Sequence, residues 1–507
     1  MPTQKIEWNE KLSMVWDKTV YSLDFNIHKT IFEQGEFLKN RFQNDSSLTE
    51  NEKKFLLNQL QFECNILRIG NNSIEKKLCN NCQNWHQAIK YCEYCIRKYF
   101  ENNFENWTSG NDEIDKLIQE CQQKIVAPQH VIEWISYDQF ENIEYFTEGG
   151  SSTIYTAIWK DGYYYKWNSK KQILERFGKR EVILKRLNNS NSNNVHWFRE
   201  VTLSFTIDNT FRTLAKCFGL TKDPITNDYM LVLLRYNNDL RCFLINDYRT
   251  LTWLQKYRIV YDISHSLILI HYQNVVHRDL HSGNILHNAN FTWYVSDLGL
   301  SGPVDKPLNN NSIYGNLPYI APEVLCGQIY TTKSDIYSLG ILMWEIVTGE
   351  IPFREHEYDK DLALAIVNGY RPKLHEEIPN EYADLMKQCW DANPDNRPDA
   401  NIIHERIELL IKSLYNEMDK KQELTIKPKK FKSKIKNFLK LKSKIKNFLK
   451  LKSTIKNFLK PRSTKSKEEQ NLFDSQLQLN DLIISDVDKD EEYGNAGPSN
   501  SGSQYQD

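Results

Sequence analysis

No stretch of this chain reaches the roughly 18 consecutive apolar residues that a membrane-crossing helix needs. The longest apolar candidate, Ile336 to Val347, is interrupted by Ser338, Gly340 and Glu345. The amino terminus, Met1-Pro2-Thr3-Gln4-Lys5-Ile6-Glu7, lacks the apolar core of a secretory signal. Both absences lead to the expectation of a cytoplasmic chain, with a membrane-peripheral or nuclear location as the alternatives. In such a reducing compartment the 10 cysteines are expected to be free or metal-bound, not disulfide-paired. Net charge is nearly missing too: 65 Lys and Arg stand against 66 Asp and Glu, so the average points to no class of partner. That average hides an asymmetry, because residues 427 to 467 carry many Lys, one Arg and no acidic residue.

Against this background one stretch carries concentrated chemistry. It is His277-Arg278-Asp279-Leu280-His281-Ser282-Gly283-Asn284, followed shortly by Asp297-Leu298-Gly299. Asp279 can take a proton from an incoming hydroxyl. Asn284 offers a neutral oxygen and Asp297 an anionic one, both suited to a hard cation such as magnesium. Ile285-Leu286 and then Phe291 to Val295 predict a hairpin that folds the two motifs together.

These residues resemble the catalytic loop and metal motif of eukaryotic protein kinases, H-R-D-L-x-x-x-N and D-F-G. The first pattern is matched at every defined position; the second has Leu298 where Phe is usual. Ala321-Pro322-Glu323, Asp335-Ile336-Tyr337-Ser338-Leu339-Gly340 and Asn396-Arg397-Pro398 follow in the family's order. The resemblance implies an α+β bilobal kinase fold over residues 143 to 413, with a small β-rich N-lobe and a larger helical C-lobe. It implies ATP and magnesium as cofactors and proteins as substrates. Asp279 would act on the acceptor hydroxyl, while Asn284 and Asp297 would hold magnesium. Lys185, ending Val182-Ile183-Leu184-Lys185, would contact the phosphates, and Glu200 would pair with it. Gly149, Gly150 and Ile154 would form the phosphate-covering loop, although Thr147 and Ser152 stand where two of its glycines belong. Leu234, ending the apolar run from Tyr229, would border the adenine, with Asn237 to Leu240 as the hinge. Arg397 would pair with Glu323, and Arg278 would bind a phosphate on the activation segment, for which Ser312 and Tyr314 are candidates.

Two features leave function open. The position two after Asp279 is His281, where serine/threonine kinases carry Lys and tyrosine kinases have an Arg nearby, so the acceptor type is not decided. The thin glycine loop and His281 would also suit a pseudokinase scaffold that binds partners without turnover. The four central charged and amide groups argue for the enzyme. Asp161-Gly162 suggests a hairpin turn within an unusually long link to Lys185.

Ahead of this domain, residues 1 to 70 are expected to be helical, with a capping box at Thr49-Glu50-Asn51-Glu52. Cys79-Asn80-Asn81-Cys82 and Cys92-Glu93-Tyr94-Cys95 form two knuckles within residues 71 to 110. They suggest a structural, zinc-ribbon-like four-thiolate zinc site; core or redox cysteines are the alternative, and His86 could replace one thiolate. Residues 111 to 142 suggest a connector. The four-Cys stretch and Phe104-Glu105-Asn106-Trp107-Thr108-Ser109-Gly110, with the domain that follows, resemble an expanded fungal set within the tyrosine-kinase-like group. Beyond the domain, residues 414 to 467 hold a basic repeat, Lys-Ser-Lys-Ile-Lys-Asn-Phe-Leu-Lys-Leu and its copies. An amphipathic helix on an anionic membrane, a nuclear-import or nucleic-acid patch and a solvated low-complexity extension all fit it. Residues 468 to 507 are polar and acidic and are expected to be disordered.

Overall fold

The N-terminal helices begin where side chains satisfy their first free amides. Helix α1 (Glu10–Tyr21) starts at Asn9, whose side chain accepts the Leu12 amide. Helices α2 (Ile31–Asn44) and α3 (Glu50–Arg68) start on capping boxes at Thr30/Glu33 and Thr49/Glu52, the second as expected. Leu12, Leu38, Phe42, Leu56 and Leu60 close their apolar faces into one cluster. The computed structural model describes residues 6, 8–24, 27–69, 76–149, 152–191, 196–207, 214–288, 292–303 and 315–426. Gly150, Phe291, Ser312, Tyr314, the basic repeat and the acidic tail lie outside them.

A short hairpin, β1 (Lys77–Leu78) and β2 (Trp85–His86), precedes helices α4 (Glu93–Glu101) and α5 (Asp112–Gln123). The chain then builds a sheet from β3 (Glu133–Trp134), β4 (Phe140–Glu148), β5 (Ser152–Trp159), β8 (Arg180–Leu187), β9 (Cys217–Lys222) and β10 (Tyr229–Leu234). Strands β6 (Tyr164–Asn168) and β7 (Ile173–Arg176) pair only with each other, and helix α6 (His196–Thr206) follows β8. The sheet order is β3-β9-β10-β8-β5-β4, antiparallel except for β3 beside β9.

Alternation along β8 sends side chains to opposite faces. Val182 and Leu184 join Ala157, Trp159, Phe218 and Met230 in one cluster. Leu187 lies in the other, with Leu220, Leu231, Val201 and Phe205 of α6, and Ile114 and Ile118 of α5. Residues 111–142 therefore hold a helix and a strand packed into this lobe. The link before Lys185 also differs from expectation. The β6–β7 hairpin turns at residues 169–172, whereas Asp161-Gly162 lies at its base, where Asp161 O accepts the Gly178 amide at 2.9 Å. Gly162 has φ +64, and a Cβ there would lie 2.1 Å from Gly178 O, so close backbone approach is what requires glycine.

The second lobe is helical. After β11 (Asn238–Asp239) come α7 (Leu240–Asp247), α8 (Trp253–Tyr272) and four short strands: β12 (Val275–Val276), β13 (Ile285–His287), β14 (Trp293–Val295) and β15 (Gly302–Pro303). Helices α9 (Pro322–Leu325), α10 (Thr332–Thr348), α11 (Lys360–Val367), α12 (Asn380–Cys389) and α13 (Ala400–Ile426) complete it. Every residue of α10 from Ser334 to Val347 is buried, as expected for a helix that is apolar nearly all round. The expected two-lobed α+β architecture is thus present. Helix α1 docks on this lobe, with Asp17 ion-paired to Arg258 of α8 and Tyr21 against Tyr261 and Tyr415. Among the described residues no helix is long and apolar enough to cross a membrane.

Arg397 and Glu323 form a two-pronged pair, both contacts at 2.7 Å, with the arginine side chain fully buried. Removing one partner strands a buried charge. Arg397→Ala is expected to cost about 3–5 kcal/mol in chemical denaturation; a loss below about 1 kcal/mol, the range of exposed pairs, would contradict this account of the pair.

Candidate active site

The site begins with a lysine that burial alone would disfavour. Lys185, on the central strand β8, is 5% exposed. Its Nζ lies 2.8 Å from Glu200 Oε1 of α6 and 2.8 Å from Asp297 Oδ1, just after β14. Burial works against its positive charge, but Asp297 and then Glu200 outweigh it and hold its pKa above the ordinary lysine range. Burial also pushes Glu200 up, with Lys185 opposing. For Asp297 burial is overcome by Lys185 and by the Gly299 amide, bringing its pKa down to about 2.

The loop around Asp279 is held from below. Asp335, at the start of α10, accepts the backbone amides of His277 at 2.8 Å and Arg278 at 2.9 Å, and lies 2.7 Å from His271 Nε2. Arg278 (φ 72) and Asp297 (φ 59) occupy left-handed backbone that non-glycine residues rarely adopt, and the Asp335 contact to its amide holds Arg278 there. Strands β13 and β14 pair as the predicted hairpin, and the Ser296 amide and hydroxyl both donate to Asn284 O at 2.9 Å. Catalytic-loop and metal-motif residues are thereby joined.

Asn284 Nδ2 donates to Asp279 O at 2.9 Å and Oδ2 at 3.3 Å, which turns its side-chain oxygen away from Asp279. Asp297 Oδ1 accepts Lys185 and the Gly299 amide, and its side chain is still 39% exposed. An amide oxygen and a carboxylate oxygen remain for a hard cation, so this donor set fits magnesium. His281 Nδ1 accepts the Gly283 amide at 3.1 Å, which leaves the proton on Nε2, 3.7 Å from Asp279 Oδ2. Burial raises the Asp279 pKa, but His281 overcomes this and lowers it overall. A small recess borders Asp279, between Asn316, Tyr319 and Ser338.

Strand register places the nucleotide-loop candidates. Ile154 lies directly across from Lys185, and the Gly149 amide donates to Ser152 O at 2.9 Å. Leu234 is not brought to this face. It pairs with Val182 and packs with that residue's cluster, whereas Leu233 pairs with Ile183 and shares the face of Lys185. A residue that motif reading missed is Arg199 of α6. Burial and the neighbouring Arg278 bring its pKa down to about 10, and its guanidinium meets Gly302, three residues after Gly299. Its place next to Glu200 was its only signal in the sequence.

Apart from this site, Cys79, Cys82, Cys92 and Cys95 gather with their sulfurs within 4.8 Å of one another. The Cys79–Cys95 and Cys82–Cys92 separations are both 3.6 Å. A tetrahedron with Zn–S bonds of about 2.3 Å has sulfurs about 3.8 Å apart, so the four thiols fit zinc; His86 is not part of the cluster. For Cys79 burial is opposed by the Cys82 and Asn81 amides, which bring the thiol down to about 7.

Residues 141–407 match the family described as protein tyrosine and serine/threonine kinase, more than half of the chain. The chain belongs to this kinase family. A probable LIM domain-containing serine/threonine-protein kinase of Dictyostelium discoideum is 30% identical over 223 residues, covering 44% of this chain and 34% of that protein. The probable serine/threonine-protein kinase roco7 of the same organism is 31% identical over 248 residues, 46% of this chain and 9% of that one. The kinase chain thus spans about a third or less of these relatives' lengths.

Lys185→Met leaves the carboxylates of Glu200 and Asp297 facing each other without their cation. Glu200, already raised by burial, then favours its protonated form more strongly, so stability falls as pH rises above its unfolded value. The variant is expected to melt well below wild type at pH 7 and to recover part of the gap at pH 5; a gap independent of pH would contradict the coupling.

Proposed function

We propose that this chain is an ATP-dependent protein kinase that transfers the γ-phosphoryl group to Ser or Thr hydroxyls of protein substrates in intracellular signalling. The convergence of Lys185, Glu200 and Asp297 beside Asn284 and Asp279 carries this reading. Asp279 orients the acceptor hydroxyl and takes its proton as that oxygen bonds to phosphorus and the bond to the ADP oxygen breaks. Lys185, aligned by Glu200, pairs with the α and β phosphates. Asn284 and Asp297 would hold a magnesium ion, which when bound would neutralise phosphate charge. His281 offers an Nε2–H to the transferred group in place of a lysine. Gly149 and Ile154 cover the phosphates, while Leu233, in preference to Leu234, faces the adenine. The relatives, named as serine/threonine-protein kinases, support Ser/Thr acceptors.

With γ-labelled ATP, wild type is expected to label itself or an added protein, and Asp279→Asn to lose that labelling while still binding nucleotide. Equal background labelling in both, with nucleotide bound, would reject turnover and leave a scaffold that binds without catalysis.

The four cysteines are proposed to hold one structural zinc, supported by their close spacing. Elemental analysis of purified full chain is expected to find one zinc per molecule, lost in Cys92→Ser; a metal-free, folded wild type would contradict it. The motif set further supports placement in the tyrosine-kinase-like group, near the fungal set that carries a four-Cys module. The basic repeat supports a cytoplasmic protein that visits anionic membrane surfaces.

A further inference from the structure

Glu200 acts only if helix α6 keeps it beside Lys185. One face of α6 carries Val201, fully buried, and Phe205, 8% exposed, a pair four residues apart and hence on one side of the helix. They share a cluster with Ile114 and Ile118 of α5, both fully buried. Leu117 and Cys121 of α5 also pack on this cluster, and the Cys121 thiol reaches Phe205 O at 3.9 Å. Ile114, Leu117, Ile118 and Cys121 follow the helical spacing of a single apolar stripe. Helix α5 lies wholly outside the 141–407 match to the kinase family, yet it is the element set against the helix that bears Glu200.

Helix α5 is itself fixed at both ends. Asn111 caps it by accepting the Glu113 and Ile114 amides. Asp115 accepts the Ser109 amide at 2.8 Å and the Ser109 and Thr108 hydroxyls. Near its other end Gln122 Nε2 donates to Ile132 O at 2.8 Å, just before β3 joins the sheet. The brace is therefore tied to the same sheet that carries Lys185.

We propose that α5 is a built-in brace for helix α6, and that Ile114 and Ile118 are positioning residues that keep Glu200 on Lys185. The proposal rests on the kinase reading for its consequence in turnover, but the brace itself is physical and separately measurable. Loosening α5 lets α6 move away, so a smaller fraction of molecules is competent and kcat falls with that fraction.

The test compares wild type with Ile114→Ala/Ile118→Ala and with the milder Ile118→Val, all as full-length chains. Amide hydrogen exchange is followed in α6, α8 and α10, alongside autophosphorylation kinetics with varied ATP. In the double variant, exchange in α6 is expected to rise about tenfold while α8 and α10 stay at wild-type rates. The kcat should fall as the competent fraction falls, with KM for ATP changed less. Ile118→Val should keep most of the activity, with a small rise in the same segment, and it preserves the test should the double variant not fold. Unchanged α6 exchange, or an equal rise in all three helices, overturns the brace. A selective rise in α6 in the double variant, alongside a wild type that shows no turnover, would support the brace and count against the kinase reading instead.

Discussion

A buried ammonium group makes the rest of the structure necessary. Lys185 sits in the sheet where a lone cation would be unfavourable, and it is tolerated because two carboxylates from two different elements close on it at 2.8 Å. Glu200 arrives on helix α6, which the sheet and α5 hold. Asp297 arrives on the hairpin of the other lobe. The three charges therefore meet only when both lobes are formed and docked. The same meeting point lies beside Asn284 and Asp279, which the β13–β14 hairpin joins to Asp297.

Beneath that point lies a second layer of buried polar contacts with the opposite task. Asp335 holds the catalytic loop by its backbone, and Tyr319 donates to Glu345 Oε2 at 2.6 Å. Glu323 and Arg397 tie the end of the activation segment to the body of the lobe. Such groups add little net stability, but each fixes a direction. The Asp335 contact to its amide keeps Arg278 in a left-handed backbone conformation that non-glycine residues rarely adopt.

Much of this was legible before the fold was known, because the chemistry is local in sequence. Asp279 and Asn284 lie five residues apart on one loop, and Asp297 returns to them through a two-stranded turn. Lys185 ended an apolar strand, and Glu200 lay within an amphipathic segment, so their pairing followed from motif order. The errors arose where the outcome depends on a partner. An apolar run such as Tyr229 to Leu234 does not say which alternate residues share the face of Lys185; the register with β8 does, placing Leu231 across from Lys185 and Leu233 across from Ile183 on the same face. Asp161-Gly162 has turn composition, yet its glycine answers to the carbonyl of Gly178, a residue 16 positions later. The stripe on α5 could be read as apolar, but nothing in it names α6 as its partner.

The account comes down to whether these side chains form one site for a metal-chelated nucleotide. Calorimetric titration of ATP into the full chain, with magnesium and then without it, tests that most directly. Because Asn284 and Asp297 each supply an oxygen and Lys185 supplies a cation, the account predicts saturable binding with magnesium and markedly weaker binding without it. Equal affinity in the two titrations, or no binding in either, would contradict it.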